Sequence, residues 1–361
     1  MRWQHDGMDQ LPTPYLSVDL DVLDRNLARM AAFTAERGAA LRPHAKTHKC
    51  LQIARRQLDA GAVGLTVATV AEAEIFSGGG CTDLFIAYPL WIDQAKGARL
   101  RAVAERAAVA VGVDSAASAQ ALAKHAGGLV EVLVEVDCGH HRSGVQPGEA
   151  GAVALAAARA GLRVRGVFTF PGHGYSAIGA GKDVAVQEAA ALRQAADAVR
   201  AAGLEVSVVS GGSTPTAWYT DTADVSEIRP GVYALNDAQQ WELGSCEPAD
   251  VALTATATVV SRAPGHVILD AGGKALGADR APWNTGYGRL PDLPEARITA
   301  QSEHHTTVVF PAGTPLPEPG SRVRVVPNHV CATVNLNDEL VITSRGEVVD
   351  RWAVAARGAN T

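Results

Sequence analysis

A lysine in the run Arg42-Pro-His-Ala-Lys-Thr-His-Lys49 is the first candidate for chemistry. Lys46 closes an apolar segment, with His44, His48 and Lys49 crowded around it. Neighbouring cations lower an amine's pKa and raise its nucleophilicity, as a Schiff base with an aldehyde cofactor requires. The plain alternative is a solvated surface charge. A second run, Val136-Asp-Cys-Gly-His-His-Arg-Ser-Gly144, has glycines that permit a tight turn presenting Arg142. Its guanidinium can donate to a phenolate or carboxylate with fixed geometry, unless it is an ordinary loop arginine. In a third, Ser210-Gly-Gly-Ser-Thr-Pro-Thr216, Gly211 and Gly212 bare the backbone N–H groups while Ser210, Ser213 and Thr214 add hydroxyls. That is the makeup of a phosphate cup without a lysine. Tyr233 and the N–H of Gly231 or Val232, in Arg229-Pro-Gly-Val-Tyr233, are placed to close it. The fourth run is Pro327-Asn-His-Val-Cys-Ala-Thr333. Read as a strand, it points His329 and Cys331 to one face. An imidazole beside a thiolate suits Zn²⁺, with water and substrate completing the shell. A half-buried histidine and a packed cysteine are the bland alternative.

These runs need a scaffold. Short apolar segments near 41–46, 63–67, 84–87, 109–113, 130–137, 164–170, 205–209 and 225–228 read as strands. Ala-rich helical patterns such as 50–61, 71–78, 91–107 and 182–202 lie between them, several stopping at Gly61, Gly78 or Gly203. Apolar strands alternating with helices imply a parallel sheet covered by helices. Eight units close a (β/α)8 barrel, with the active site at the C-terminal strand ends and phosphate after strands seven and eight. The expected fold is therefore α/β, a TIM barrel over residues 20–245. An open doubly wound sheet is the alternative, without the Gly-x-Gly-x-x-Gly of its dinucleotide form. From about Cys246 helical patterns vanish and strands are expected at 251–261, 266–270, 296–302, 306–310, 322–326 and 339–343. Residues 1–19 and 246–361 are read as an all-β domain, with 14–18 pairing into it.

Composition narrows the class. Among 361 residues, 47% are hydrophobic and 19% charged, with a net charge of -6. That supports a sizeable core and argues against a nucleic-acid partner. No apolar run is long enough for a membrane helix, and the start lacks a signal-peptide core, so a cytoplasmic protein is expected. Five scattered cysteines read as reduced thiols rather than a disulfide framework.

The lysine run together with the His-x-Cys run resembles the D-serine dehydratase and D-threonine aldolase group of alanine-racemase-like, fold-type III pyridoxal-phosphate enzymes. The likeness extends from Thr13-Pro-Tyr-Leu-Ser-Val-Asp-Leu-Asp21 through Asn335. It implies an N-terminal barrel of the alanine racemase type, a C-terminal β domain and a homodimer acting on a small amino-acid substrate. Lys46 is then the Schiff-base lysine, and Arg142 meets the cofactor's phenolic oxygen. Ser210 to Thr214 and Gly231 to Tyr233 hold the phosphate, and His329 with Cys331 hold the metal. The resemblance adds His173 as a catalytic candidate and Tyr175 as a cofactor contact, both in Gly172-His-Gly-Tyr175. Tyr88, Trp218, Trp283 and His304 are candidates for the side-chain pocket.

Aldolase members carry His-x-Asp and a harder metal such as Mn²⁺, whereas dehydratase members carry His-x-Cys and zinc. Cys331 therefore favours a dehydratase that converts a D-β-hydroxy amino acid to a 2-oxo acid and ammonia, since thiolate selects Zn²⁺. Retro-aldol cleavage to glycine and an aldehyde is the alternative. A metal-free racemase has no use for a Lewis acid at the hydroxyl, and a non-catalytic pyridoxal-phosphate carrier has none for the second domain.

Overall fold

The computed structural model describes residues 10–361 and divides into two compact units. One comprises Arg29–Lys46, Ile53–Gly231 and Ala359–Thr361; the other comprises the chain up to Ala28, Thr47–Gln52 and Val232–Gly358. The sequence division at 19/20 and 245/246 therefore differs from these units. Thr47–Gln52 and the stretch from Val232 to Ser245 belong with the β-rich unit.

The first unit is built on eight parallel strands: Ala40–Leu41, Leu65–Val67, Asp83–Pro89, Ala108–Val113, Glu131–Glu135, Arg163–Phe168, Val208–Gly211 and Glu227–Ile228. Each neighbours the next from the second onward, and the eighth returns beside the first. Val63 N–H to Leu41 O at 2.9 Å and Thr66 N–H to Pro43 O at 2.8 Å join the first strand to the second, closing the barrel. Its interior is filled by Phe85, Ala87, Ala110, Leu133 and Phe168. The rings of Phe85 and Phe168 meet edge to face at 5.0 Å. Gly112 makes room for them, since a Cβ there would lie 2.6 Å from the Phe168 ring.

Caps explain where the outer helices begin. Thr69, Asp93 and Ser115 accept from the N–H groups of Glu72, Lys96 and Ser118, starting Val70–Gly78, Gln94–Ala104 and Ala116–Ala126. Gly61 and Gly203 take the left-handed backbone (φ 103° and 81°) beyond a helix end. Gly78 instead remains helical, and Gly80 (φ 94°) makes the turn.

The second unit is a strand network. Tyr15–Asp19 pairs antiparallel with Leu253–Ala263 and parallel with Glu339–Ser344, so the N-terminal strand does join the C-terminal sheet. Leu253–Ala263 also pairs with His266–Leu269 and Arg322–Val325. Thr306–Val309 links His266–Leu269 to Arg297–Gln301, and Glu347–Ala353 extends the other edge. The expectation that helices vanish here is corrected by Gly273–Leu276 and Val330–Leu336. The β-branched composition of Val-Cys-Ala-Thr-Val reads as strand, yet Val330, Thr333 and Val334 are buried together at helical spacing.

Candidate active site

In the barrel unit, Lys46 lies in the one-turn 3₁₀ segment Ala45–Thr47 that follows the first strand. The half-buried amine donates to the Tyr88 hydroxyl at 2.9 Å. It lies 5.5 Å from the Tyr88 ring centre and 5.6 Å from that of Phe170. The Arg142 guanidinium lies 5.0 Å from each of the same two rings. Two cations thus share two aromatic faces, an arrangement that suits an anionic oxygen between them. His44 accepts the Lys46 backbone N–H through Nδ1 at 3.4 Å, and its ring meets Tyr88 at 6.3 Å.

His48 and Lys49 follow Lys46 within the same run. Both lie in the β-rich unit, where the Lys49 amine donates to Ala356 O at 3.2 Å and His48 accepts from Cys50 N–H at 3.1 Å. Phe170, at the end of the sixth strand and unremarked in the sequence, gathers more of the site. Its ring faces Tyr175 at 6.4 Å and His140 at 5.6 Å. Burial, then Arg142 and His173, hold the His140 imidazole below its usual range. His173 keeps Nε2 on Gln187 at 3.0 Å, while its Nδ1 is buried without a partner. Trp218 packs against Phe33 and Arg29 rather than in this group.

The Ser210 to Thr214 run starts in the last two residues of the seventh strand and turns at Gly212. Ser210 faces the barrel core, donating to Glu227 at 2.7 Å and accepting from Arg229 Nε at 2.7 Å. The Gly212 N–H donates to Glu188, and the Ser213 N–H to the Thr216 hydroxyl at 2.9 Å. Both glycines are obligatory. A Cβ on Gly211 would come within 2.4 Å of Glu188 Oε1; Gly212 has φ +87°, and a Cβ there would meet Ile228 at 2.7 Å. The N–H groups of Gly212 and Ser213 that the sequence offered to a phosphate are thus taken by Glu188 and Thr216, and the place that fits a phosphate is the start of the helix Thr214–Ala217 beyond the glycines, while the Lys46–Arg142 pair fits the ring substituents of pyridoxal phosphate. Gly231 ends the barrel unit, whereas Val232 and Tyr233 lie buried in the other.

Beneath these groups, Arg42 binds Glu227 and Asp83, each at 2.7 Å. Burial opposes its charge, but the two carboxylates outweigh burial and raise the guanidinium above its usual range.

In the β-rich unit, His329 caps the helix Val330–Leu336, and Cys331 is its second residue. Strand geometry therefore does not align them as the sequence suggested; the first helical turn brings them together instead. The Cys331 thiol donates to the Thr47 hydroxyl at 3.3 Å, and Asp279 holds His329 Nδ1 at 2.5 Å. Burial would lower the imidazole, but Cys331, Asp279 and Asp237 outweigh it and raise His329 well above its usual range. Asp237 accepts Val330 N–H at 3.0 Å, and Asn328 donates to the carbonyls of Asp279 and Gly286, each at 3.0 Å. Burial pushes the Asp237 carboxyl up to about 6. No motif in the sequence marks Asp237 or Asp279.

With Nδ1 taken by Asp279, Nε2 is the nitrogen left for a metal, the carboxylate–histidine arrangement that orients zinc ligands. The nitrogen and sulfur donors fit Zn²⁺. Among the described residues, no group of three or more His, Cys, Asp or Glu side chains is placed to share one ion. The other four cysteines are buried, and burial pushes the Cys138 thiol up to about 12, out of reach of metal chemistry at neutral pH.

A parallel eight-stranded barrel carrying a lysine after its first strand, continued by an antiparallel-rich sheet, defines an alanine-racemase-like class. Family comparisons agree: residues 18–238 match the alanine racemase N-terminal domain and residues 252–343 the putative serine dehydratase domain. D-threo-3-hydroxyaspartate dehydratase of Delftia sp. (strain HT23) is 38% identical, with 91% of this chain and 93% of that one covered. D-threonine aldolase of Arthrobacter sp is 35% identical over 98% of this chain and 94% of that one. A solved variant of a D-threo-3-hydroxyaspartate dehydratase in a metal-free form superposes with a TM-score of 0.89 at 34% identity, covering 96% of this chain and 98% of that one. The chain belongs to this family of alanine-racemase-like, pyridoxal-phosphate-dependent lyases.

Proposed function

We propose that the protein is a zinc-assisted dehydratase of D-β-hydroxy amino acids, yielding a 2-oxo acid and ammonia. Pyridoxal phosphate, when bound, supplies an electron sink for charge developing at Cα. Lys46 attaches the cofactor and, once released from it, takes the α-proton through Nζ. Arg142 donates to the phenolic oxygen, and Tyr88 and Phe170 wall the ring. The turn from Ser210 to Thr214 receives the phosphate. His329 and Cys331 hold a zinc ion, whose Lewis acidity is the chemistry a hydroxyl leaving group needs.

The His329–Cys331 pair with Asp279 behind it carries this reading over a racemase or a carrier. The metal-free form of a solved D-threo-3-hydroxyaspartate dehydratase variant supports a metal in the family, and the Delftia relative is named for a D-β-hydroxy amino acid with a second carboxylate. One observation favours retro-aldol cleavage: the D-threonine aldolase relative matches 98% of this chain. In that reaction a base must take the proton of the hydroxyl, and His173, with its buried unpartnered Nδ1, is the candidate.

D-Threonine separates the two. Incubation of the protein, pyridoxal phosphate and Zn²⁺ with it should release 2-oxobutanoate and ammonia. Glycine and acetaldehyde instead would assign the aldolase reaction and overturn the inference from Cys331.

A further inference from the structure

Glu188 is a carboxyl with no part in the chemistry above. It is fully buried on the inner side of the long helix Gly181–Ala201. Its Oε1 accepts the Gly212 N–H, the central donor of the glycine turn. It sits so close behind Gly211 that no Cβ fits there. Its Oε2 is buried without a hydrogen-bond partner. A carboxylate in that position would be a fully buried negative charge directly behind the turn, with one oxygen unbonded.

We propose that Glu188 is the positioning residue of this turn, and that its carboxyl keeps its proton while the cofactor's phosphate is held there, tying cofactor retention to pH. The inference rests on the reading of Ser210 to Thr214 as the phosphate turn.

The groups facing Glu188 support it. The Thr216 hydroxyl comes from the short helix beyond the turn. From beyond the fifth strand comes the Cys138 thiol, which burial keeps protonated. From beyond the eighth strand comes Arg229, which is bound to Ser210 and to the Thr169 carbonyl. Arg229 answers to Glu227 before Glu188, then to Glu135, and burial lowers its own guanidinium. Burial pushes the Glu188 carboxyl up to about 7, outweighing the pull of the Gly212 N–H, Arg229 and the Thr216 hydroxyl, each of which favours the ionised form. A phosphate on the other side of the turn adds negative charge and raises it further. Cofactor affinity from this group is then complete below about pH 7 and falls as pH rises through the group's ionisation.

The test titrates cofactor-free protein with pyridoxal phosphate, following the absorbance of the lysine-bound cofactor. It compares the wild type, Glu188→Gln and Glu188→Ala at about pH 6 and about pH 8. Ionisations of the cofactor and of Lys46 are common to the wild type and Glu188→Gln, and cancel in their ratio. Between those pH values, wild-type affinity should fall about five- to tenfold relative to Glu188→Gln, whose amide keeps the acceptor without the charge. Identical pH profiles overturn the proton-holding role. Glu188→Ala, which leaves the Gly212 N–H buried and unpaired, should bind about tenfold or more weakly at both pH values. Wild-type affinity in that variant overturns the positioning role. A wild-type protein that develops no absorbance at either pH would instead refute the cofactor reading itself, a result separate from both.

Discussion

In the barrel unit Lys46 stands on a turn delivered by a strand of a closed parallel ladder, and what surrounds it comes from the ends of other strands. In the β-rich unit His329 and Cys331 stand at the start of a seven-residue helix held by side chains from elsewhere. Asp237 receives the Val330 N–H, Asn328 ties down the Asp279 loop, and Thr333 donates to Leu276 O at 2.6 Å. The first site inherits its geometry from backbone hydrogen bonds of a repeating fold. The second depends on a handful of tertiary contacts. Substitutions at the second are therefore expected to propagate into ligand placement, and those at the first to act through the replaced group alone.

The largest effect should come from removing the attachment point. Lys46→Ala is expected to abolish the bound-cofactor absorbance and lower turnover by about 10³-fold or more, with the melting curve of the cofactor-free protein unchanged. Retention of that absorbance breaks the barrel half of the comparison. Chelation should sharpen it: zinc and activity are lost together while the cofactor absorbance persists, and Cys331→Ala should do the same. Full activity after exhaustive chelation contradicts the metal assignment.

Next comes the barrel floor. Arg42 and Glu227 are both buried, so Glu227→Gln leaves the guanidinium with Asp83 as its one remaining carboxylate and should cost about 1.5–3 kcal/mol in urea unfolding. A loss below about 1 kcal/mol, the range of exposed pairs, would mean that water reaches the pair. Asp279→Asn, which removes the charge behind His329 and the carboxylate that accepts at its Nδ1, should weaken zinc binding by about 10–100-fold in a competition titration. Unchanged affinity would remove Asp279 from the site. Smaller again, Gly112→Ala must displace the Phe168 ring and should destabilise by about 1–3 kcal/mol.

The same contrast governs what the sequence reveals. Eight strands, their parallel order, the placement of Lys46 and Arg142 each after a strand and that of Ser210 near the end of another follow from alternation of apolar runs with capped helices. Tyr15–Asp19 reads as a strand in the sequence, and its three middle residues, Leu16, Ser17 and Val18, are all buried. Long-range contacts leave no such trace. Asp279 lies fifty residues before His329, in a segment with no motif. Glu188 sits mid-helix among alanines, and nothing local announces that it meets the Gly212 N–H. Phe170 reads as one more strand aromatic until its ring is seen beneath two cations. Helix Val330–Leu336 was hidden for a related reason: β-branched residues suggest a strand, and only burial against other segments makes them helical.

Attachment of the cofactor to Lys46 is the claim on which the rest depends, and covalent trapping tests it most directly. The holoenzyme is reduced with borohydride, digested, and the modified peptide located by mass spectrometry. The expected result is a single pyridoxyl adduct on Lys46. An adduct on Lys49 or any other lysine, or none at all, would contradict it.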